Sequence, residues 1–476
     1  MKQEFYQELV EALGPAAVLR PPDIQNYLSD MRGFHYGDAE AVLRPSTTQE
    51  VARAVKICRK HRVPVVPQGG NTGLCGGALP EEGTGAVVIS LQRMNRILDV
   101  DPLCYTITVE AGVVLQAVHD SARAVDREFS MDWGARGSAM IGGGISTNGG
   151  GINVLRYGTT REQVLGLEVV LPDGTIWDGL RALRKDASGY DLKQLFIGGE
   201  GTLGIVTKAC LKLHPRQHVN QSLLGAVAEF TRLMDLFVLA KDIGGHHLSA
   251  FELLPGKGVR KVSQIYPAIR QPLETEADWC VLVRFSGSDE QIIEEQLTGF
   301  FDAAFTAGLL SDGSISQSLA QEENLWHLRD EIPAERLYDG HLIKWDISVP
   351  TSSVIEFVQK AEGLLLHERP QGRFYVFGHV GDGNLHTMFF PGGEGEDGYD
   401  EICSRLYGKI DQLVWSLGGS ICAEHGVGTE SVERLAGQKS EIELELMRKV
   451  KNMFDPDHLM NPGKLLRKGD ATEPSD

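Results

Sequence analysis

Residues 132–157, DWGARGSAMIGGGISTNGGGINVLRY, constrain this chain more than any other stretch. Gly142, Gly143 and Gly144, then Gly149, Gly150 and Gly151, flank Ile145-Ser146-Thr147-Asn148. Glycine reaches left-handed backbone and lets the main chain approach a ligand closely. Exposed N–H groups, with Ser146, Thr147 and Asn148, then suit a phosphate or a flat polar ring. A flexible linker is the bland alternative. Met140, Ile141, Ile145 and Ile152 speak against it, because linkers lack such apolar anchors. Two more glycine loops lie in the same half of the chain, at 68–77 (QGGNTGLCGG) and 197–204 (IGGEGTLG).

The loop at 197–204 contains a formal GxGxxG at Gly199, Gly201 and Gly204. A dinucleotide fingerprint must open a helix, whereas Ile205-Val206-Thr207-Lys208-Ala209-Cys210 is β-branched and strand-like. That reading is rejected. The 55 glycines show no collagen period, so the excess belongs to loops with special backbone.

With 476 residues the chain holds two to four domains, and 42% hydrophobic residues supply a core. Acidic residues outnumber basic ones by 65 to 46, a net charge of −19. This disfavours nucleic acid and anionic membranes as partners. An anionic substrate must then be held by a local cation cluster or a metal. Seven scattered cysteines form no CxxC pair, which fits a reducing compartment. MKQEFYQELVEALG has helical spacing, with no signal-peptide core or arginine-rich transit character. No apolar run reaches membrane-spanning length. The expected location is the cytoplasm, in the bacterial manner, or the mitochondrial matrix in a eukaryote.

Residues 1–37 read as a helical lead-in. Residues 38–216 open at Ala41-Val42-Leu43-Arg44-Pro45, followed by a helix capped by Thr47 with Glu50. A buried strand at 63–67, strand-like runs at 86–91 and 105–111, a helix at 114–125, and strands at 165–171 and 176–177 follow. Beyond His214-Pro215-Arg216, strands at 223–227, 279–285 and 342–349 alternate with helices at 229–242, 290–305 and 352–367. Residues 217–430 are therefore expected to build on an antiparallel sheet. Residues 431–476 contain an amphipathic helix at 440–453, with Ile442, Leu446, Val450 and Met453 on one stripe, then the coda MNPGK. The fold class is α+β, without internal repeats.

PQGGNTG, IGGGISTNGGG, GGEGTLGIVT, FGHVGDGNLH, AEHGVG and MNPGK, in that order, resemble the FAD-linked 2-hydroxy acid dehydrogenases. Their flavin domain is of the vanillyl-alcohol-oxidase (PCMH) type, and the similarity is to D-2-hydroxyglutarate and D-lactate dehydrogenases. It spans about residues 41–466. It implies two α+β subdomains gripping FAD, a cap domain for the substrate, and a C-terminal helical segment. By resemblance, Pro67, Gly69, Gly70, Asn71, Thr72, Gly73 and Leu74 hold the pyrophosphate. Ser138, Gly142, Gly143, Ser146, Thr147, Asn148, Gly150 and Gly151 line the rest of the cofactor. Glu200, Gly204 and Ile205 come from the third loop, and Asn461 reaches the flavin from the coda. PQGGNTG has no histidine, so FAD is expected to be non-covalent.

His379, His386 and Glu424 are the candidate metal ligands, an ordinary set for zinc. On an unbroken strand residues seven apart point to opposite faces. Gly381-Asp382-Gly383 interrupts the strand and can swing both rings to one side. Hydrogen-bonded core residues are the bland alternative. Two histidines about a glycine turn, with EHG elsewhere, outweigh it, and the resemblance places metal ligands at these positions. A histidine's unperturbed pKa lies near neutrality, so His425 is the candidate base for a substrate hydroxyl, with orientation of Glu424 as its lesser reading. Arg329 and Lys344 are candidate substrate-carboxylate clamps, lifted above ordinary surface cations only by spacing shared with the family.

Two positions depart from the 2-hydroxyglutarate pattern. Pro333 stands where a threonine is expected, and Met388 stands where an asparagine is expected. Both changes remove polar contacts and favour a less polar 2-hydroxy acid. Expected partners are the small acid and an electron acceptor such as an electron-transfer flavoprotein, a quinone or a cytochrome, with a homodimer as the assembly. An oxygen-using oxidase, a non-catalytic FAD-binding subunit and a zinc hydrolase are the rival readings. The subunit would not need the His379, His386, Glu424 and His425 set, and the hydrolase leaves the glycine loops without a purpose.

Overall fold

Two sheets, one four-stranded and one five-stranded, carry the glycine loops on their connections. The computed structural model describes residues 3–333 and 340–467. It divides into two compact units, the first Met1–Gly151, Tyr157–Arg216 and Glu424–Asp476, the second Ile152–Arg156 and Gln217–Ala423.

In the first unit Ala41–Leu43, Val87–Ser90 and Val65–Gln68 pair in parallel, with Val18–Leu19 antiparallel at the edge. Such strands are buried on both faces and read as continuous apolar runs, as VVIS does. The helix Thr48–Lys60 buries Val51, Ala54, Val55 and Cys58. Thr47 accepts the Glu50 N–H, while the Glu50 carboxylate turns back to the Ser46 N–H at 2.7 Å. The second sheet is antiparallel, in the order Ile97–Asp101, Thr106–Glu110, Ile205–Lys212, Val164–Val170, Ile176–Gly179. Ile205–Lys212 is thus a strand, as its β-branched residues predict.

The second unit is built on one seven-stranded antiparallel sheet. Its order is Leu310–Ile315, Val219–Val227, Trp279–Gly287, Leu248–Pro255, Arg373–His379, Asn384–Phe390, Ile343–Ser348. Strand alternation splits its side chains. Phe251, Leu253, Val376, Leu385, Phe389, Trp345 and Ile347 share one core with helices such as Glu290–Thr306, Val354–Glu368 and Tyr399–Ser416. Ala250, Leu254, Phe377, Met388 and Phe390 share the other with residues of Gly256–Ile265 and Leu319–Glu331. No helix of the described residues is long and apolar enough to cross a membrane.

Three expectations need correction. The lead-in is α-helical only over Gln3–Leu13, with short 3-10 turns at Pro15–Ala17 and Gln25–Tyr27; Val18 and Leu19 pair with Leu43 and Val42, which a helix could not do. Residues 142–147 are not loop: Ile141–Thr147 is a short helix ended by Asn148 in the left-handed region. Gly144 packs where a Cβ would stand 1.9 Å from the Trp133 ring, so tertiary contact rather than propensity fixes the turn. The helix Glu441–Phe454 has the full capping box of Ser440 and Glu443. Yet Ile442, Leu446 and Met453 of its stripe are exposed, and Leu444 and Lys451 are the buried positions.

Candidate active site

The first glycine loop follows the strand Val65–Gln68. Gln68 Nε2 donates to the Tyr27 and Ala78 carbonyls, gathering the loop's two ends. Asn71 sits at φ +53°, and its Nδ2 donates to the Ser29 carbonyl at 2.7 Å. Among the described residues, the N–H groups of Gly69, Gly70, Asn71, Thr72, Gly73 and Leu74 donate to no protein acceptor. A Cβ on Gly70 would lie 2.0 Å from the Ser138 carbonyl oxygen, and one on Gly69 3.6 Å from Gly143 N. A Cβ on Gly73 or Gly143 would meet nothing within 4 Å. Unused main-chain donors beside open glycine surface fit a pyrophosphate and a flat ring. The residues therefore fit FAD.

Ser146 Oγ donates to the Gly142 carbonyl at 2.7 Å and Thr147 Oγ1 to that of Gly143 at 3.2 Å. Asn148 Oδ1 accepts from Thr159 Oγ1 and the Arg161 N–H. These three side chains thus shape the segment as well as being able to accept from a ligand. Gly150 is buried between Asn148 and Gly151, and a Cβ on Gly151 would lie 2.4 Å from the Asp132 carbonyl.

Glu200, at φ +47°, donates its N–H to the Ser146 carbonyl at 2.9 Å. Its carboxylate accepts from Val427 N at 2.6 Å and Gly428 N at 2.8 Å. Burial pushes its pKa up, with the two N–H groups opposing. Gly204 packs on Val169 and Val170, where a Cβ would clash, and Ile205 starts the buried strand. Asn461 Nδ2 donates to the Gly77 and Glu200 carbonyls, while its buried Oδ1 has no partner among the described residues. Lys451 secures this coda, donating to the Thr202 and Met460 carbonyls and to Asp455. His425, whose Nε2 is 3.5 Å from Glu424 Oε1, stands two residues before Val427.

In the second unit Arg373–His379 and Asn384–Phe390 form a hairpin with Gly383 at φ +81°. The register pairs His379 with Asn384 and Phe377 with His386, so the glycine turn does bring both imidazoles to one face. Their ring centroids are 5.6 Å apart and T-shaped. Two imidazoles on one tetrahedral ion, at about 2 Å per Zn–N bond, need centroids roughly 5 Å apart. Asp346 lies opposite His386, its Oδ1 3.5 Å from Nδ1. Lys344 lies opposite Met388, which is 1% exposed and packs among Phe377 and Phe390.

Glu252 was not foreseen. It faces His379 across the strands and is 1% exposed. Its Oε1 is 2.7 Å from His379 Nδ1, and its Oε2 accepts from Arg329 Nε at 3.0 Å. Burial alone would raise its pKa, but His379 and Arg329 outweigh that and hold it at about 2. Stripping such a carboxylate of one partner costs roughly 3–5 kcal/mol. A lone glutamate in the apolar run LSAFELLP was the available signal, since buried charges are paired. The helix Leu319–Glu331 presents Arg329 and ends just before Pro333. The carboxylates and imidazoles of these residues are a donor set that fits a divalent cation.

Residues 39–179 match the family "FAD binding domain", and 216–465 match "FAD linked oxidases, C-terminal domain". D-2-hydroxyglutarate dehydrogenase of Xanthomonas citri pv. viticola is 37% identical over 95% of this chain and 94% of its own length. The mitochondrial D-2-hydroxyglutarate dehydrogenase of Bos taurus is 36% identical over 94% and 80%. D-2-hydroxyglutarate–pyruvate transhydrogenase of Saccharomyces cerevisiae is 34% identical over 94% and 90%. Among solved structures, p-cresol methylhydroxylase superposes with a TM-score of 0.75 at 16% identity, covering 98% of both chains. Alkyldihydroxyacetonephosphate synthase does so at 0.74 and 17%, covering 98% of this chain and 86% of the other. The glycine cradle, the two matched domains and the near full-length relatives lead to one conclusion: the chain belongs to the FAD-linked 2-hydroxy acid dehydrogenases with a PCMH-type flavin domain.

Proposed function

We propose that the protein oxidises a D-2-hydroxy acid to the 2-keto acid, and that D-2-hydroxyglutarate is the substrate to test first. The observation that carries the reading is the row of imidazole, carboxylate and ammonium groups on one sheet face, His379, His386, Asp346 and Lys344, with Arg329 beside it. Two cations, Arg329 and Lys344, match the two carboxylates of a five-carbon diacid. Met388 favours a second reading, a monocarboxylic acid such as D-lactate or a longer homologue, because its buried side chain offers no polar contact.

Bound FAD, held non-covalently by the first-unit loops, supplies the acceptor for the hydride from carbon 2. A divalent cation, zinc foremost, would be held in this unit by His379 and His386 with Asp346 as a further donor, and would supply a Lewis acid toward the hydroxyl. His425 accepts the hydroxyl proton on its imidazole as the carbonyl forms. Arg329 and Lys344 bind the carboxylates and orient carbon 2. Electrons then pass to an electron-transfer flavoprotein, quinone or cytochrome rather than to oxygen.

An anaerobic stopped-flow screen of D- and L-2-hydroxy acids tests this. The D-acid should bleach the flavin, and a chelator should stop bleaching while the yellow colour remains. Bleaching by L-acids alone refutes the stereochemistry, and undiminished rates in chelator refute the metal. Stoichiometric peroxide during aerobic turnover would make the protein an oxidase. Acid precipitation should release FAD into the supernatant.

A further inference from the structure

We propose that Glu252 is a positioning residue that fixes His379 and Arg329 with a single carboxylate, tying the metal-ligand imidazole to the substrate clamp. The inference rests on the roles just given to those two residues.

All eight residues of the strand Leu248–Pro255 are buried. Glu252 is the one ionised side chain in it, and its two oxygens serve different neighbours. Oε1 meets His379 Nδ1, and Oε2 meets Arg329 Nε. A carboxylate can only accept, so Nδ1 carries the imidazole hydrogen. Arginine can only donate, and Arg329 NH2 stands 3.5 Å from His379 Nε2. Nε2 therefore keeps its lone pair, the tautomer a metal ligand requires. The same carboxylate sets the plane of the guanidinium by holding Nε. Glutamine has one acceptor oxygen and cannot serve both neighbours. Aspartate keeps both oxygens on a stem one methylene shorter.

The test uses the full-length, FAD-loaded protein and its Glu252→Gln and Glu252→Asp variants. Zinc affinity is read by equilibrium dialysis, with kcat, KM for D-2-hydroxyglutarate, FAD content and melting temperature alongside. Glu252→Gln should bind zinc about 10- to 100-fold more weakly and raise KM about tenfold, with FAD content unchanged. Glu252→Asp should recover part of both. A Glu252→Gln protein whose melting temperature falls while zinc affinity and KM stay at their original values would overturn the proposal. Should neither variant fold, nitrogen-15 histidine spectra of the unaltered protein decide. His379, assigned by its loss in His379→Gln, must show a protonated Nδ1, and a protonated Nε2 overturns the assignment. If the unaltered protein takes up no zinc, the metal reading falls by itself, and KM with the tautomer still judges Glu252.

Discussion

Two of the buried glutamates, Glu200 and Glu252, one in each unit, are used in opposite ways. Among the described residues Glu200, in the flavin unit, accepts from main-chain N–H groups, and burial pushes its pKa up. Glu252, in the second unit, lies between an imidazole and a guanidinium, and these hold it at about 2 despite burial. The flavin unit works through backbone, with glycines placed where a Cβ would collide and N–H groups left for a ligand. The second unit works through side-chain charge on a rigid sheet. Shape should therefore decide the fate of substitutions in the first, and ionisation in the second.

His425 is the sharpest challenge to that division, because the base proposed for the reaction comes from the backbone-driven unit. His425→Asn should slow flavin reduction by about 10²- to 10⁴-fold in stopped flow, with the FAD spectrum intact. Arg329→Met, on the charge-driven side, should raise KM on the order of a hundredfold and leave FAD content alone. In the first loop, Gly70→Ala forces a Cβ against the Ser138 carbonyl. Overpacking of about 1–3 kcal/mol should appear as roughly 10- to 100-fold weaker FAD binding in fluorescence titrations. Gly73→Ala meets nothing, so its melting temperature should hold. Equal loss in both glycine variants would break the comparison.

The smallest effect is in acid. Glu252 has a folded pKa below the ordinary 4.5, so its contribution is complete above that pH. It is lost as pH falls from 4.5 toward about 2. Glu200 is raised, so its folded form keeps a proton that the unfolded chain has released, and stability falls as pH climbs from 4.5. Melting curves of Glu252→Gln should lack the acid-side loss, and those of Glu200→Gln should lack the opposite trend.

Much of this was legible because it is written in short periods. Thr47 announced its helix by capping, and Ile205–Lys212 announced a strand by its branched residues. The turn at Gly383 was readable because seven-residue spacing on one face demands a break. The helix at Ile141–Thr147 was not, because three glycines carry no local preference for it and Trp133 supplies the reason from outside. Leu248–Pro255 and the long helix Tyr399–Ser416 were missed as elements for a different reason. The first is an internal strand whose apolar run lacks clear ends, and the helix starts after a glycine-rich, acidic stretch. Asp346 and Glu252 sit in strands whose partners lie far off in sequence, so no local spacing could pair them with His386 and His379.

The coda gives the molecule an order of manufacture. Met460 bridges to Val65, and the Asn461 N–H donates to the Val65 carbonyl across almost 400 residues of chain. A polypeptide growing at about 5–20 residues per second must wait tens of seconds after its first glycine loop emerges before that clasp exists. Until then the cradle lacks its last wall. A chain cut short before Lys451 would contain the whole second unit yet leave the FAD cradle of the first without its Asn461 clasp.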